Sequence, residues 1–173
     1  MKFEDALEIV LAKEGGFVND PHDPGGMTNL GVTKDNWTSW VRREVSEDEM
    51  RSLTPQAVAP FYRVRYWNPL RCDDLPSGLD IVVFDCGVNT GPGQSARLLQ
   101  RCVGVLQDGH IGPFTIAAAK QKDLRQLIEE FSQAREQFYR SLPLFDRYGK
   151  GWLNRTESVK LAATHALDAP SVT

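Results

Sequence analysis

The sequence predicts an all-α protein of seven or eight helices. Three observations carry that expectation. Apolar side chains recur at helical spacing through most of the chain. The segments that show this spacing are punctuated by start signals at Thr33, Ser46, Thr54-Pro55 and Asp123, and by stop signals at Gly104 and Pro143. The single β-branched apolar run, Leu79 to Asn89, has no strong strand partner elsewhere, and a lone strand leaves its backbone groups unsatisfied.

In order, Leu7, Val10 and Leu11 share one face of a first helix over residues 4–13, with Glu4 and Asp5 at its positive end and Lys13 at its negative end. Gly15-Gly16 is expected to close it, because glycine readily takes the left-handed conformation of a helix stop. Glu14 then falls in the last turn. A carboxylate there faces the partial negative charge of the helix end, and burial under Phe17 would further disfavour its ionised form. A general acid working near neutral pH needs that property, while a solvated Glu before a glycine cap is the alternative. The run to Thr33 is expected to be a long ordered loop anchored by Phe17, Val18, Leu30 and Val32.

Thr33 caps a helix that places Trp37, Trp40 and Val41 together, and Ser46 with Glu49 has capping-box spacing. Thr54-Pro55 starts a helix carrying Val58, Phe61 and Tyr62 on one side, with Pro60 as a kink. Tyr66-Trp67-Asn68 ends it, and aromatic faces beside polar amides suit either a sugar ring or core packing. Leu79 to Asn89 is read as a buried helix leading to the turn Thr90-Gly91-Pro92-Gly93. Asp85, Asn89 and Thr90 sit where this helix meets the turn, either as substrate contacts or as capping and core hydrogen-bonding groups. Ala96, Leu99, Cys102 and Val103 mark the next helix, closed by Gly104. After the loop Gln107 to Pro113, Asp123 caps a helix with a continuous stripe from Leu124 to Phe138, and Trp152 to Ala166 forms a last amphipathic helix. From Asp168 a frayed tail is expected.

Bulk properties narrow the function. A chain of 173 residues with 41% apolar and 25% charged residues can bury a core without metals or disulfides. A net charge of −3 argues against a nucleic-acid partner. Cys72, Cys86 and Cys102 form no metal-type spacing and read as reduced, packed thiols, and His110 has no partner ligand at metal spacing, so neither metal nor cofactor is expected. The first residues lack the apolar centre of a signal peptide, which suggests a soluble protein made in the cytoplasm. Phosphate-loop, dinucleotide, HExxH and GxSxG motifs are absent. Carboxylates remain. Glu14 and Asp23 flank a glycine-rich segment open to a polymer and fit acid-assisted glycosidic cleavage, with Thr28 or Asn29 able to hold a water.

The run Glu14-Gly15-Gly16-Phe17-Val18-Asn19-Asp20-Pro21, continuing through Asp23, Gly25-Gly26, Thr28-Asn29 and Gly31-Val32-Thr33, resembles the signature of glycoside hydrolase family 108, the bacterial and phage N-acetylmuramidases. Phe84-Asp85 to Asn89, Gly91-Pro92 and Leu106-Gln107-Asp108-Gly109 to Ile111-Gly112-Pro113 with Thr115 resemble the peptidoglycan-binding region that accompanies this family. The resemblance implies a lysozyme-like helical fold in two lobes, with a catalytic region over 1–70, a peptidoglycan-binding region over 71–167 packed with it, and a tail over 168–173. Asn68 to Ser77 is the expected seam.

It also implies cleavage of the β-1,4 bond between N-acetylmuramic acid and N-acetylglucosamine, with Glu14 as catalytic acid. Asp23 and Thr28 resemble the water-activating members of the Glu, Asp, Thr constellation of phage-type lysozymes. Eight residues separate the first two in both, whereas four rather than five separate the second and third. Asn29, Tyr66, Asp85, Asn89 and Thr90 are the expected substrate contacts. The expected partner is bacterial peptidoglycan, acted on by a monomeric endolysin that waits in the host cytoplasm until a holin opens the membrane. A lytic transglycosylase and a noncatalytic wall-binding or secretion-accessory protein are the competing readings.

Overall fold

The first helix, α1 (Phe3–Leu11), buries Ala6, Leu7 and Val10, as the spacing predicts. It ends before the glycine pair rather than at it. The amides of Lys13 and Glu14 reach back to the Val10 carbonyl at 2.9 and 3.2 Å, and neither Gly15 nor Gly16 has a positive φ. Tight-turn hydrogen bonds satisfy the helix end without a left-handed residue, so Glu14 lies beyond α1 and not in its last turn. These coordinates are a computed structural model that describes residues 1–22 and 25–168.

The segment expected to be an irregular loop is a small antiparallel sheet of order β1-β2-β3, built from β1 (Val18–Asn19), β2 (Met27–Asn29) and β3 (Val32–Thr33). Val18 faces Thr28, and Thr28 faces Thr33. The expectation of no sheet is corrected here: strands of two or three residues are too short to show an alternating pattern. The turn between β2 and β3 is Leu30-Gly31, both with positive φ (50° and 73°). That is the backbone twist a two-residue hairpin favours.

The cap signals act locally, as written. Thr33 accepts from the Asn36 amide at the start of α2 (Lys34–Val41). Ser46 and Glu49 form the reciprocal capping box of α3 (Glu47–Arg51). Thr54 accepts from the Ala57 amide at the start of α4 (Pro55–Tyr62). Pro60 sits inside α4, and the chain continues past Tyr62 as a π-helical turn, Arg63–Trp67. Residues Glu4–Val64 form one compact unit. In it the Phe61 ring meets the edges of Trp37 and Trp40 at centroid distances of 6.2 and 5.7 Å.

The second unit takes in Met1–Phe3 and the chain from Arg65 onward. Its elements are α5 (Leu79–Thr90), α6 (Pro92–Val103), α7 (Pro113–Lys120), α8 (Leu124–Arg140) and α9 (Phe145–Asp168). Among the described residues the fold is mostly helical, with nine α-helices. Every residue from Leu79 to Gly87 is buried, with α6, α8 and α9 packed around α5. A helix apolar all round is a core helix, which is why this stretch shows no amphipathic period. Trp67 is fully buried here, its ring against Phe3 and Phe84. Asp168 ends α9, and the rest of the expected tail lies outside the described residues. No helix among them is long and apolar enough to cross a membrane.

Candidate active site

The hairpin turn fixes Glu14. The Leu30 amide donates to the Gly15 carbonyl at 3.2 Å, and the Tyr62 hydroxyl donates to the Leu30 carbonyl at 2.8 Å. These bonds tie the segment after α1, the β2–β3 turn and the end of α4 together at one point. Gly31 completes the contact. A Cβ built there would stand 2.5 Å from Tyr62 Oη, 2.8 Å from Glu14 Cγ and 2.9 Å from Glu14 Cδ. The Glu14 carboxyl thus lies directly on the Gly31 backbone, half-buried, beside a fully buried tyrosine.

Gly31→Ala is therefore doubly unfavourable: the left-handed φ costs about 1–2 kcal/mol for a residue with a Cβ, and the new methyl collides with two side chains. Expected is a loss of about 2 kcal/mol or more in this unit, read as a lower midpoint in thermal unfolding. A melt unchanged from wild type would refute the contact.

Helix α3 holds the rest of the sheet. Asn29 is 5% exposed and its Nδ2 donates to the Met50 carbonyl at 2.7 Å, fastening β2 to the end of α3. The Arg51 guanidinium lies 4.0 Å from the centre of the Phe17 ring, fastening the chain before β1 to the same helix. Cation–π contact and charge-assisted pairing with Glu47 share that one side chain. Residues alternate in direction along a strand, so Thr28 and its partner Thr33 point away from the face on which Asn29 and Val32 are buried. Thr28 is half-buried on the more open face.

The expected site residues are accordingly not equal. Glu14 sits on the turn, and Thr28 lies two residues before it in β2. Asn29 is turned inward, with its Nδ2 on the Met50 carbonyl, and braces β2 against α3. Asp23 lies outside the described residues. Tyr66 is half-buried in the π-helical turn.

Asp85 takes the core hydrogen-bonding alternative of its sequence reading. It is 0% exposed, with Arg135 Nη1 at 2.7 Å on Oδ2 and Arg155 Nη2 at 2.8 Å on Oδ1, so it is a core ion pair with no face for a ligand. Burial alone would raise its pKa, but the Arg135 and Arg155 charges outweigh burial and hold it below the usual carboxylate value. Thr90 donates to the Cys86 carbonyl, and Asn89 Nδ2 donates to Tyr139 Oη at 2.7 Å, in the same network. Both hydrogen bonds fit the capping and core alternative, and both residues are half-buried. Among the described residues no group of three His, Cys, Asp or Glu side chains is placed to hold a metal ion.

Sequence reasoning read Tyr62 as packing only and missed its hydroxyl. Gly31 was read as part of a motif without its contact. The turn pair Leu30-Gly31 lacks the Asn-Gly, Asp-Gly or Gly-first pattern by which a two-residue hairpin is read, so the sequence carried no signal for this contact.

A family model described as Glycosyl hydrolase 108 matches residues 7–91, and one described as Predicted Peptidoglycan domain matches residues 94–157. The first match therefore runs past the unit boundary and through α5. Among solved structures, the chain is similar to that titled Structure of Brucella abortus SagA, with 37% sequence identity, 98% of each chain covered and a TM-score of 0.87. No curated protein matches.

Proposed function

The chain belongs to the glycosyl hydrolase 108 family, with a mostly-α, lysozyme-like fold, and on that premise we propose that it is an N-acetylmuramidase with Glu14 as general acid. The observation that carries the proposal is the seating of the Glu14 carboxyl on the Gly31 backbone, inside the segment matched to the family. A half-exposed carboxyl followed by Gly15 and Gly16, both exposed and with nothing within 4 Å of a built Cβ, suits a polymer cleavage site, because no side chain there obstructs an approaching strand. Glu14 protonates the glycosidic oxygen as its bond to C1 breaks, and a water adds to C1. The water's proton passes to a carboxylate base, for which Asp23 is the candidate, with Thr28 as a group that positions the water. The C-terminal match supports peptidoglycan as the polymer. A role as a monomeric endolysin released by a holin rests on the resemblance of the Glu14 to Thr33 run to phage and bacterial muramidases.

Digestion of purified sacculi followed by mass spectrometry of the soluble muropeptides tests the reaction. Reducing muramic ends are expected. Anhydro-muramic ends would instead mean intramolecular attack, a transglycosylase, and binding without soluble products would mean a noncatalytic wall protein.

A further inference from the structure

A groove of about 290 Å³ opens between α6 and α8, close to the lower limit of ordinary ligand pockets. Its lining includes Gln94, Arg97, Arg101, Gln107, Gln137 and Phe138, all within residues 94–157. Arg97 and Arg101 stand four residues apart on one face of α6, where like charges repel and weaken the helix. Neither arginine has an ion-pair partner among the described residues. Both arginines are exposed.

Arg97 is also held in place. A Cβ at Gly109 would stand 3.0, 3.1 and 3.2 Å from its Cζ, Nη2 and Nη1, and a Cβ at Gly93 would stand 3.3 Å from Nη1. Near-equal distances to the three guanidinium atoms mean that the flat face lies on Gly109, leaving the N–H edge for a ligand. Gly109 has φ +81°, so the turn that supplies this seat needs glycine twice over. The nearby carboxylate of Asp108 is engaged elsewhere, accepting from Gln100 Nε2 at 2.7 Å and from the His110 amide at 2.9 Å. Arg101 Nη2 donates to Gln137 Oε1 at 3.0 Å, which orients the second fork and leaves the Gln137 amide donors for a partner.

We propose that this groove binds the stem peptide of peptidoglycan through its carboxylates, an inference that rests on peptidoglycan being the polymer recognised. Arginine forks match carboxylates in paired hydrogen bonds. Glutamine side chains offer the donor and acceptor that peptide groups need, and Phe138 gives an apolar wall for small side chains. A neutral glycan strand would leave both charges uncompensated, and a phosphate polymer would leave the three glutamines without peptide groups to pair with.

The test is titration of the full-length protein with a synthetic L-Ala-D-isoGlu-meso-diaminopimelate tripeptide, read by calorimetry and by NMR shifts of the Gln94, Gln107 and Gln137 side-chain amides. Binding is expected, with Arg97→Gln and Arg101→Gln each weakening it tenfold or more at unchanged melting temperature. Arg97→Lys, which keeps the charge and loses the fork, should not restore wild-type affinity. The proposal is overturned if wild type does not bind, if both variants bind as wild type does, if the carboxamide form of the tripeptide binds equally well, or if polyglycerol phosphate competes at lower concentration than the peptide. Peptide-stripped glycan strands separate this inference from the reaction. Their cleavage by protein that binds no tripeptide overturns the groove alone, and tripeptide binding without any cleavage supports the groove while overturning the muramidase.

Discussion

Glu14→Gln clears sacculi about 10²–10⁴-fold more slowly than wild type, the contribution expected of one general acid. The substitution is nearly isosteric, so the side chain still packs on Gly31 beside Tyr62. What it loses is the proton. The effect should therefore fall on kcat, with KM and sacculus affinity close to wild type, since an interaction made only as the bond breaks does not enter substrate binding. A melting profile matching wild type would show that the fold is intact. Equal clearing by the two proteins, measured as turbidity and released reducing ends, would remove Glu14 from the reaction. A rise in KM with kcat preserved would make it a binding group instead.

How far the sequence reached depends on the range of each interaction. The caps at Thr33, Ser46, Thr54 and Asp123 were legible because each bonds an amide three residues away, a pattern present in the letters themselves. The core role of α5 followed from its β-branched apolar run once no partner strand was found. The small sheet was not legible, since its register is set by a Leu30-Gly31 turn in which a leucine, not an Asn or Gly, takes the first positive φ. Nor was the end of α1. Gly15-Gly16 looked like a helix stop, but the chain turns before it and leaves the glycines exposed beside Glu14, where they contribute openness rather than a cap. The position of Glu14 thus came from the family motif, and its setting came only from the hairpin that Tyr62 and Gly15 hold. The partners of Asp85 were out of reach for the same reason: they lie on α8 and α9, and Arg155 is 70 residues away.

That distant pairing makes Asp85→Ala the largest expected change in stability. Arg135 is 1% exposed, and its Nε donates to Tyr139 Oη at 2.8 Å, while Nη2 has no partner among the described residues. Removing the carboxylate leaves this guanidinium buried with no counter-charge, a situation that costs about 3–5 kcal/mol when one member of a buried pair is deleted. That is a large share of the roughly 5–15 kcal/mol by which a domain is stable, so urea unfolding should show a strongly lowered midpoint or a partly unfolded population. Arg155→Gln, whose side chain is 13% exposed, should cost clearly less, because Arg135 remains to balance Asp85.

The pH dependence gives an independent reading. The folded-state pKa of Asp85 is held below its unfolded value, so its contribution is fully present above the unfolded carboxylate pKa and is lost as pH falls through the folded one. The gap in unfolding free energy between wild type and Asp85→Asn should therefore be widest near neutral pH and narrow on acidification. A gap that stayed constant into acid would mean that the carboxylate charge is not what holds α5 to α8 and α9.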